Sequence, residues 1–594
     1  MLPSRLTLLL VPAYALCIQM LPAASPAIFP LKDVRAGQMG VGRTVFSGTK
    51  IEEFQVEILG VLENIGPKES IILARLKGGP LANTGVMQGM SGSPVYIDGR
   101  LAGAVALSFP LSKDAIAGIR PIEDMLRVDP ESKPNPNIAA LGDIRPRSYP
   151  FATGGSIDPR AVNASSDAAS YSARLEEIAT PVSFSGFTAA TLERFGAQLR
   201  ALGMDPRQGV SGGGRPPNQM GNPSDIQPGS MISVQLLSGD MSMGADGTVT
   251  SVDGNRVFAF GHHFLSGGAS DLPFARAEVL TLLPNLSSSF KISTAREWMG
   301  SITEDRDTAV SGLLGRRAAM IPVDIRVGSN SYHMNMIQDR VMTPLVAQMA
   351  VFSAIDATER TLGSATFSVH GQLDFAGGTV HLNDVYSGDV NTAAFAAMGV
   401  STPLGYALQS GFDAMKLKSV SLDVSVVDRQ SQMQIADVSA PRMAHPGDEV
   451  ALTVTLAGEN GIETPKTVRY RVPVGAPYGM LYFTASDSTS MNLLELQSVI
   501  ATPSHSPGQV LGLLNSIRAN TNAYLRVWRA DSVYTVDGRD LADVPSSLAL
   551  ILTRAQVGSP AVLNVKGSKV AEIEIPAGNY VVTGSKTAQV EVKE

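Results

Sequence analysis

The chain has 594 residues, of which 44% are hydrophobic and 17% charged, and a formal net charge of −7 at pH 7. That length is too great for one core and predicts roughly three or four domains. The acidic balance argues against a nucleic-acid binder, which carries a basic face, while 57 glycines and 37 prolines predict many turns between short strands.

Residues 1–27 carry an export pattern. Arg5 supplies the positive start, Leu6 to Met20 an apolar run, and Ala23-Ala24-Ser25-Pro26-Ala27 a small-residue cleavage zone. Pro12 interrupts the run and the span is short for a bilayer, so a cleaved signal peptide is expected rather than an anchor. The single cysteine, Cys17, lies inside this segment, which leaves a mature chain with no disulfide and no thiol nucleophile. No second stretch of about 18 apolar residues follows, so a periplasmic or extracellular protein without an integral span is expected.

Residues 28–127 read as strand-rich. Phe54, Val56 and Ile58 alternate with Gln55 and Glu57, the period of a half-buried strand. The glycines of Gly37-Gln38-Met39-Gly40-Val41-Gly42 lack the lysine and following helix of a phosphate loop and predict a turn. The informative stretch is Gln88-Gly89-Met90-Ser91-Gly92-Ser93-Pro94. Small neighbours let a carbonyl approach Ser91, and the amides of Gly89 and Ser91 can converge on an oxyanion. Two apolar runs flank Asp98-Gly99 directly afterwards, a strong hairpin signal. A serine followed by β-structure suits a double-barrel serine protease, whereas an α/β-hydrolase elbow needs a helix there.

Residues 128–228 read as a connector, loop-like over 205–228, with one helix placing Leu192, Phe195, Leu199 and Leu202 on a face between Thr188 and Gly203. Residues 229–330 resume as strands, with a turn at Asp253-Gly254-Asn255 delivering Gly261-His262-His263 at a strand end. The seven histidines are scattered, without a metal-binding spacing, so neither metal nor cofactor is expected. Residues 331–435 read as β-rich and 436–486 as a small immunoglobulin-like sandwich, from the alternation of Val450, Leu452, Val454 and Leu456. Residues 487–594 read as a β-rich C-terminal domain with a helix near 508–519.

The motif 88–94, its hairpin and the closing Ile119-Arg120-Pro121-Ile122-Glu123-Asp124-Met125-Leu126 resemble the C-terminal part of SpoIVB-type serine peptidases, family S55. The run Gly244-Ala245-Asp246-Gly247-Thr248-Val249-Thr250, leading to Ala259-Phe260-Gly261-His262, resembles the segment that bears the family's catalytic histidine. The resemblance implies a mainly β fold, a chymotrypsin-like double β-barrel, with its two halves in permuted order because Ser91 precedes His262 here. It implies Ser91 as nucleophile and His262, rather than His263, as base. The family's acid position falls on Leu76. Asp305 is the candidate replacement, and a Ser–His dyad oriented by a backbone carbonyl is the alternative.

The expected function is therefore an exported serine endopeptidase acting on protein or peptide substrates by acyl-enzyme chemistry. A secreted scaffold without activity, binding peptides or an envelope partner through its C-terminal β-domains, is the competing expectation. An α/β-hydrolase esterase is a weaker one, because βαβ alternation is absent.

Overall fold

The computed structural model describes residues 27–66, 69–128, 175–208, 220–358, 364–458, 461–492, 506–536, 539–541, 545–556 and 562–594. Residues 1–26 of the expected signal peptide, including Cys17, lie outside these residues. Among the described residues no helix is long and apolar enough to cross a membrane.

Six strands build the first barrel: β1 (Met39–Ser47), β2 (Lys50–Gly66), β3 (Glu69–Lys77), β4 (Pro94–Ile97), β5 (Arg100–Ser108) and β6 (Ile116–Pro121). They run β4-β1-β2-β3-β6-β5, and β5 pairs back to β4, closing an antiparallel ring. The β4–β5 turn is the expected Asp98-Gly99 hairpin, with φ of 50° and 73° at its two residues. Phe54, Val56, Ile58, Ile72, Ala74 and Leu76 point inward and fill the ring. Leu76, at the position where an acid was sought, is one of these core residues.

The stretch expected as a connector contributes β7 (Glu176–Glu177), β8 (Thr180–Ser185), α1 (Ala189–Ala201) and β9 (Met204–Gln208). The helix is the expected one. Thr188 caps it by accepting from the Thr191 amide, and Phe195 and Leu199 are buried. The strands are not expected from the sequence. Pro181 and Pro206 obscure β8 and β9, and the pair survives because both lie toward the edge of a sheet.

The second barrel comprises β10 (Met231–Gly239), β11 (Ser242–Asp253), β12 (Arg256–Ala259), β13 (Gly268–Leu283), β14 (Phe290–Arg306) and β15 (Ala309–Leu314). These run β10-β13-β14-β15-β12-β11, and β11 pairs back to β10. The chain is thus mainly β and holds two closed six-stranded antiparallel rings, one with Ser91 on the loop before β4 and the other with His262 just past β12.

Both rings meet side to side. Val45 packs with Met231, Ala277 and Val279, and Ala309 joins Leu101, Ala104, Ile122 and Met125.

The second barrel does not end as a domain near residue 330. Beyond it come β16 (Met320–Val327), β17 (Asn330–Ile337), α2 (Met342–Thr358), β18 (Ala365–Phe375), β19 (Gly378–Gly388), α3 (Thr392–Gln409) and β20 (Leu417–Val427). Strand β17 pairs with β10, so the barrel's sheet continues outward through β16, β20, β18 and β19. One hydrophobic core runs from Val182 to Leu514 and includes both helices. Their burial explains why the sequence reads only as β-rich here. α2 is apolar on nearly every face, so it carries no amphipathic period.

The C-terminal region is a two-sheet sandwich. One sheet holds Gln432–Ser439, Glu449–Gly458, Glu463–Arg471 and Val581–Thr583; the other is built on Gly479–Asp487, Asn522–Val536, Val562–Pro576 and Ser585–Val592. Their facing side chains, from Ile435 to Val592, form one core. The expected boundary between residues 486 and 487 is therefore corrected. Strand Gly479–Asp487 pairs with strands on both sides that come from beyond it, because residues 436–486 supply too few strands to cover a second face.

Candidate active site

Ser91 sits on the loop entering β4, and the second barrel holds that loop by its carbonyls. The Thr248 amide donates to the Ser91 carbonyl at 2.8 Å. Thr248 Oγ1 donates to the Gly89 carbonyl at 2.8 Å and Thr250 Oγ1 to the Gly92 carbonyl at 2.7 Å. The Lys291 amide donates to the Gln88 carbonyl at 3.2 Å, and the Gln88 amide to the Ser289 carbonyl at 2.9 Å. Strands β11 and β14 thus template a loop that belongs to the other barrel.

The loop's amides alternate. Those of Met90 and Gly92 donate to the Met87 and Val105 carbonyls. Among the described residues, those of Gly89 and Ser91 have no partner. Two buried amides are thus left open on either side of Met90.

Gly92 is the tightest point. It has φ +92°, and a Cβ there would lie 2.0 Å from the Thr248 carbonyl oxygen and 2.5 Å from the Phe260 nitrogen. Only glycine fits.

His262 arrives from β12 through a strained turn. Phe260 and Gly261 both have positive φ, 69° and 73°, and for a bulky residue such as Phe260 that conformation is costly. The turn packs on β5, since a Cβ on Gly261 would lie 3.1 Å from Ala106 Cβ. Arg120 of β6 reaches across and donates from Nε to the Gly261 carbonyl at 3.3 Å. Its buried guanidinium is also within 3.2 Å of Glu69 and 3.8 Å of Glu177.

The His262 ring is buried and its Nδ1 lies 2.6 Å from the His263 carbonyl oxygen. A carbonyl only accepts, so Nδ1 carries the proton and Nε2 the lone pair. Among the described residues Nε2 has no hydrogen-bond partner, and neither does Ser91 Oγ, although both are buried. Burial pushes the His262 pKa down to about 4; the His263 carbonyl opposes this, and the charges of His263 and Arg120 add to it. The imidazole is therefore neutral at pH 7. His263 is half-exposed and pairs with Glu177 through Nδ1 at 3.3 Å.

Asp305 does not take the role expected for it. Its carboxylate accepts from the amides of Phe264, Leu265 and Gly267, at 2.8, 2.6 and 3.4 Å, while His262 Nδ1 is occupied by a backbone carbonyl. It fixes the loop after the histidine rather than orienting the ring. Sequence spacing cannot separate these two roles, because both need an acid near the same loop.

Several residues of the site escape sequence reading. Gln88 donates to Asp205 at 2.8 Å and accepts from Arg207 at 3.2 Å, so β9 braces the serine loop. Lys291 is buried with its stem against Gly89, and its Nζ donates to Thr44 Oγ1 at 2.7 Å. Burial drives its pKa down to about 7, against the pull of Asp246. Asp246, pushed up to about 6 by burial, accepts from Ser183 and Ser293 at 3.1 and 2.6 Å. Only the run containing Asp246 gave a signal in the sequence; the partners come from distant strands.

Two closed antiparallel barrels, with a glycine-flanked serine loop on one and a histidine turn on the other, are consistent with a β-barrel protease architecture. Residues 22–126 match the family model of the SpoIVB peptidase S55. The match spans the serine-bearing barrel and stops before His262. Neither a curated protein nor a solved structure matches the chain.

Proposed function

We propose that the protein is an exported serine endopeptidase of the SpoIVB type, with its serine and histidine barrels in permuted order. His262 Nε2 removes the Ser91 Oγ proton as Ser91 attacks a peptide carbonyl, and the Gly89 and Ser91 amides hold the resulting oxyanion. His262 then passes the proton to the leaving amine, and water deacylates Ser91 in a second, equivalent round. The His263 carbonyl orients the imidazole where other such enzymes use a carboxylate, so the pair acts as a dyad.

The observation that carries this reading is that four buried groups, Ser91 Oγ, His262 Nε2 and the amides of Gly89 and Ser91, have no partner among the described residues. Buried polar groups are ordinarily satisfied, and these four are the groups that a tetrahedral intermediate would engage. Export rests on the N-terminal pattern around Arg5 and Leu6–Met20. Incubation with a fluorophosphonate probe tests the reading. Covalent label that disappears in Ser91→Ala supports it, and a chain that takes no label in any form contradicts it.

A further inference from the structure

Strand β5 has an edge that the barrel itself does not use. Its residues 100–104 pair with β4, and at Val105 the Ser91 loop takes over, through Gly92 N to Val105 O at 2.8 Å and Val105 N to Ser93 O at 3.0 Å. Past that point the edge continues between the serine loop and the histidine turn, since Ala106 abuts Gly261. An extended peptide laid antiparallel on residues 106–108 would run directly past Ser91 and His262.

That place is taken by the chain itself. Glu176 pairs with Ser108 and Glu177 with Leu107 in antiparallel register, and the Ile178 amide donates to the Ala106 carbonyl at 3.0 Å. Ile178 is buried in the cluster that holds Met87 and Met90, two residues of the serine loop. The Glu177 carboxylate faces His263 Nδ1 at 3.3 Å and Arg120 at 3.8 Å. A backbone-paired strand with an aliphatic anchor and an acid between an arginine and a histidine is how a sheet edge recognises a peptide.

Resting on the peptidase reading above, we propose that the β5 edge at Ala106–Ser108 is the acyl-side substrate groove, and that Glu176–Ile178 occupies it in cis. The groove takes an extended peptide with a branched aliphatic residue before the scissile bond and an acidic residue before that. Such a substrate must displace β7, so the site is held closed in the resting chain. The competent fraction sets the apparent affinity.

Ile178→Pro tests this directly, because proline lacks the amide that bonds Ala106. Glu177→Arg, which places a cation against Arg120, is an independent way to release the strand. The substrate is the peptide Leu-Glu-Glu-Ile, matching residues 175–178, bearing a C-terminal fluorogenic amide. Binding of the same peptide without the leaving group is measured by anisotropy on each variant carrying Ser91→Ala. Both variants are expected to hydrolyse the amide and bind the peptide about fivefold better or more than their parents, the worth of one released hydrogen bond. Hydrolysis and binding no stronger in either variant than in the parent overturn the cis-occupant proposal. Enhanced binding with no Ser91-dependent hydrolysis leaves the groove standing and overturns the peptidase reading instead.

Discussion

Gly92 and Phe260 meet backbone to backbone: a Cβ on Gly92 would stand 2.5 Å from the Phe260 nitrogen. The residue after Ser91 therefore touches the residue two before His262, across 168 positions of sequence. The proposed Ser91–His262 pair needs such a contact between its two barrels, because proton transfer tolerates little misplacement.

Gly92→Ala forces a side chain into that contact and into a positive φ. It is expected to lower unfolding free energy by about 3 kcal/mol or more. A urea midpoint matching that of the parent protein would show that the barrels do not depend on this approach.

The pH profile follows from the buried imidazole. With its pKa at about 4 in the free protein, His262 stays unprotonated as pH falls through 6. Hydrolysis, measured as kcat/KM, should hold to about pH 5 and be lost as pH falls through 4. An acid limb near the ordinary histidine value of about 6.5 would contradict the depressed pKa. Arg120→Met removes a cation that lowers this pKa and a donor that fixes the Gly261 carbonyl. Its acid limb should move upward, with kcat reduced, and Arg120→Lys should restore the limb more than the rate.

Asp305→Ala is expected to lower melting temperature and kcat together, since three amides lose their acceptor. Asp305→Asn should recover part of both, because an amide oxygen still accepts. An orienting acid would behave differently, with kcat collapsing in the Asn variant while stability held.

Lys291 gives a stability slope of known sign. Its folded pKa of about 7 lies below its unfolded value near 10.5, so the unfolded chain binds more protons between these limits. Stability contributed by this site rises with pH from about 7 toward 10.5. Urea unfolding at pH 7 and pH 9 should show that rise in the parent and a smaller one in Lys291→Met. Equal slopes in the two proteins would place the lysine in a better-solvated state than its burial implies.

The sequence made the serine half readable because its signals are local. Asp98-Gly99 and the small residues around Ser91 act within a dozen positions. The histidine turn was readable for the same reason, through Asp253-Gly254 and Gly261. What escaped is long-range or patternless. Arg120 meets Gly261 across 141 positions, and β9 is disguised by Asp205 and Pro206. Helix α2 is buried on nearly all sides and shows no period. The C-terminal sandwich was cut short because alternation reveals a strand's faces but not which later strand covers them.

The account's central claim is that Ser91 and His262 act as one pair across the two barrels. The most direct measurement is the rate of fluorophosphonate labelling in the Ile178→Pro background, with and without His262→Ala, and with the labelled residue located by peptide mass spectrometry. The account predicts label on Ser91 alone and a fall of about 100-fold or more without His262. Label on Ser93, or a rate unchanged by His262→Ala, would contradict it.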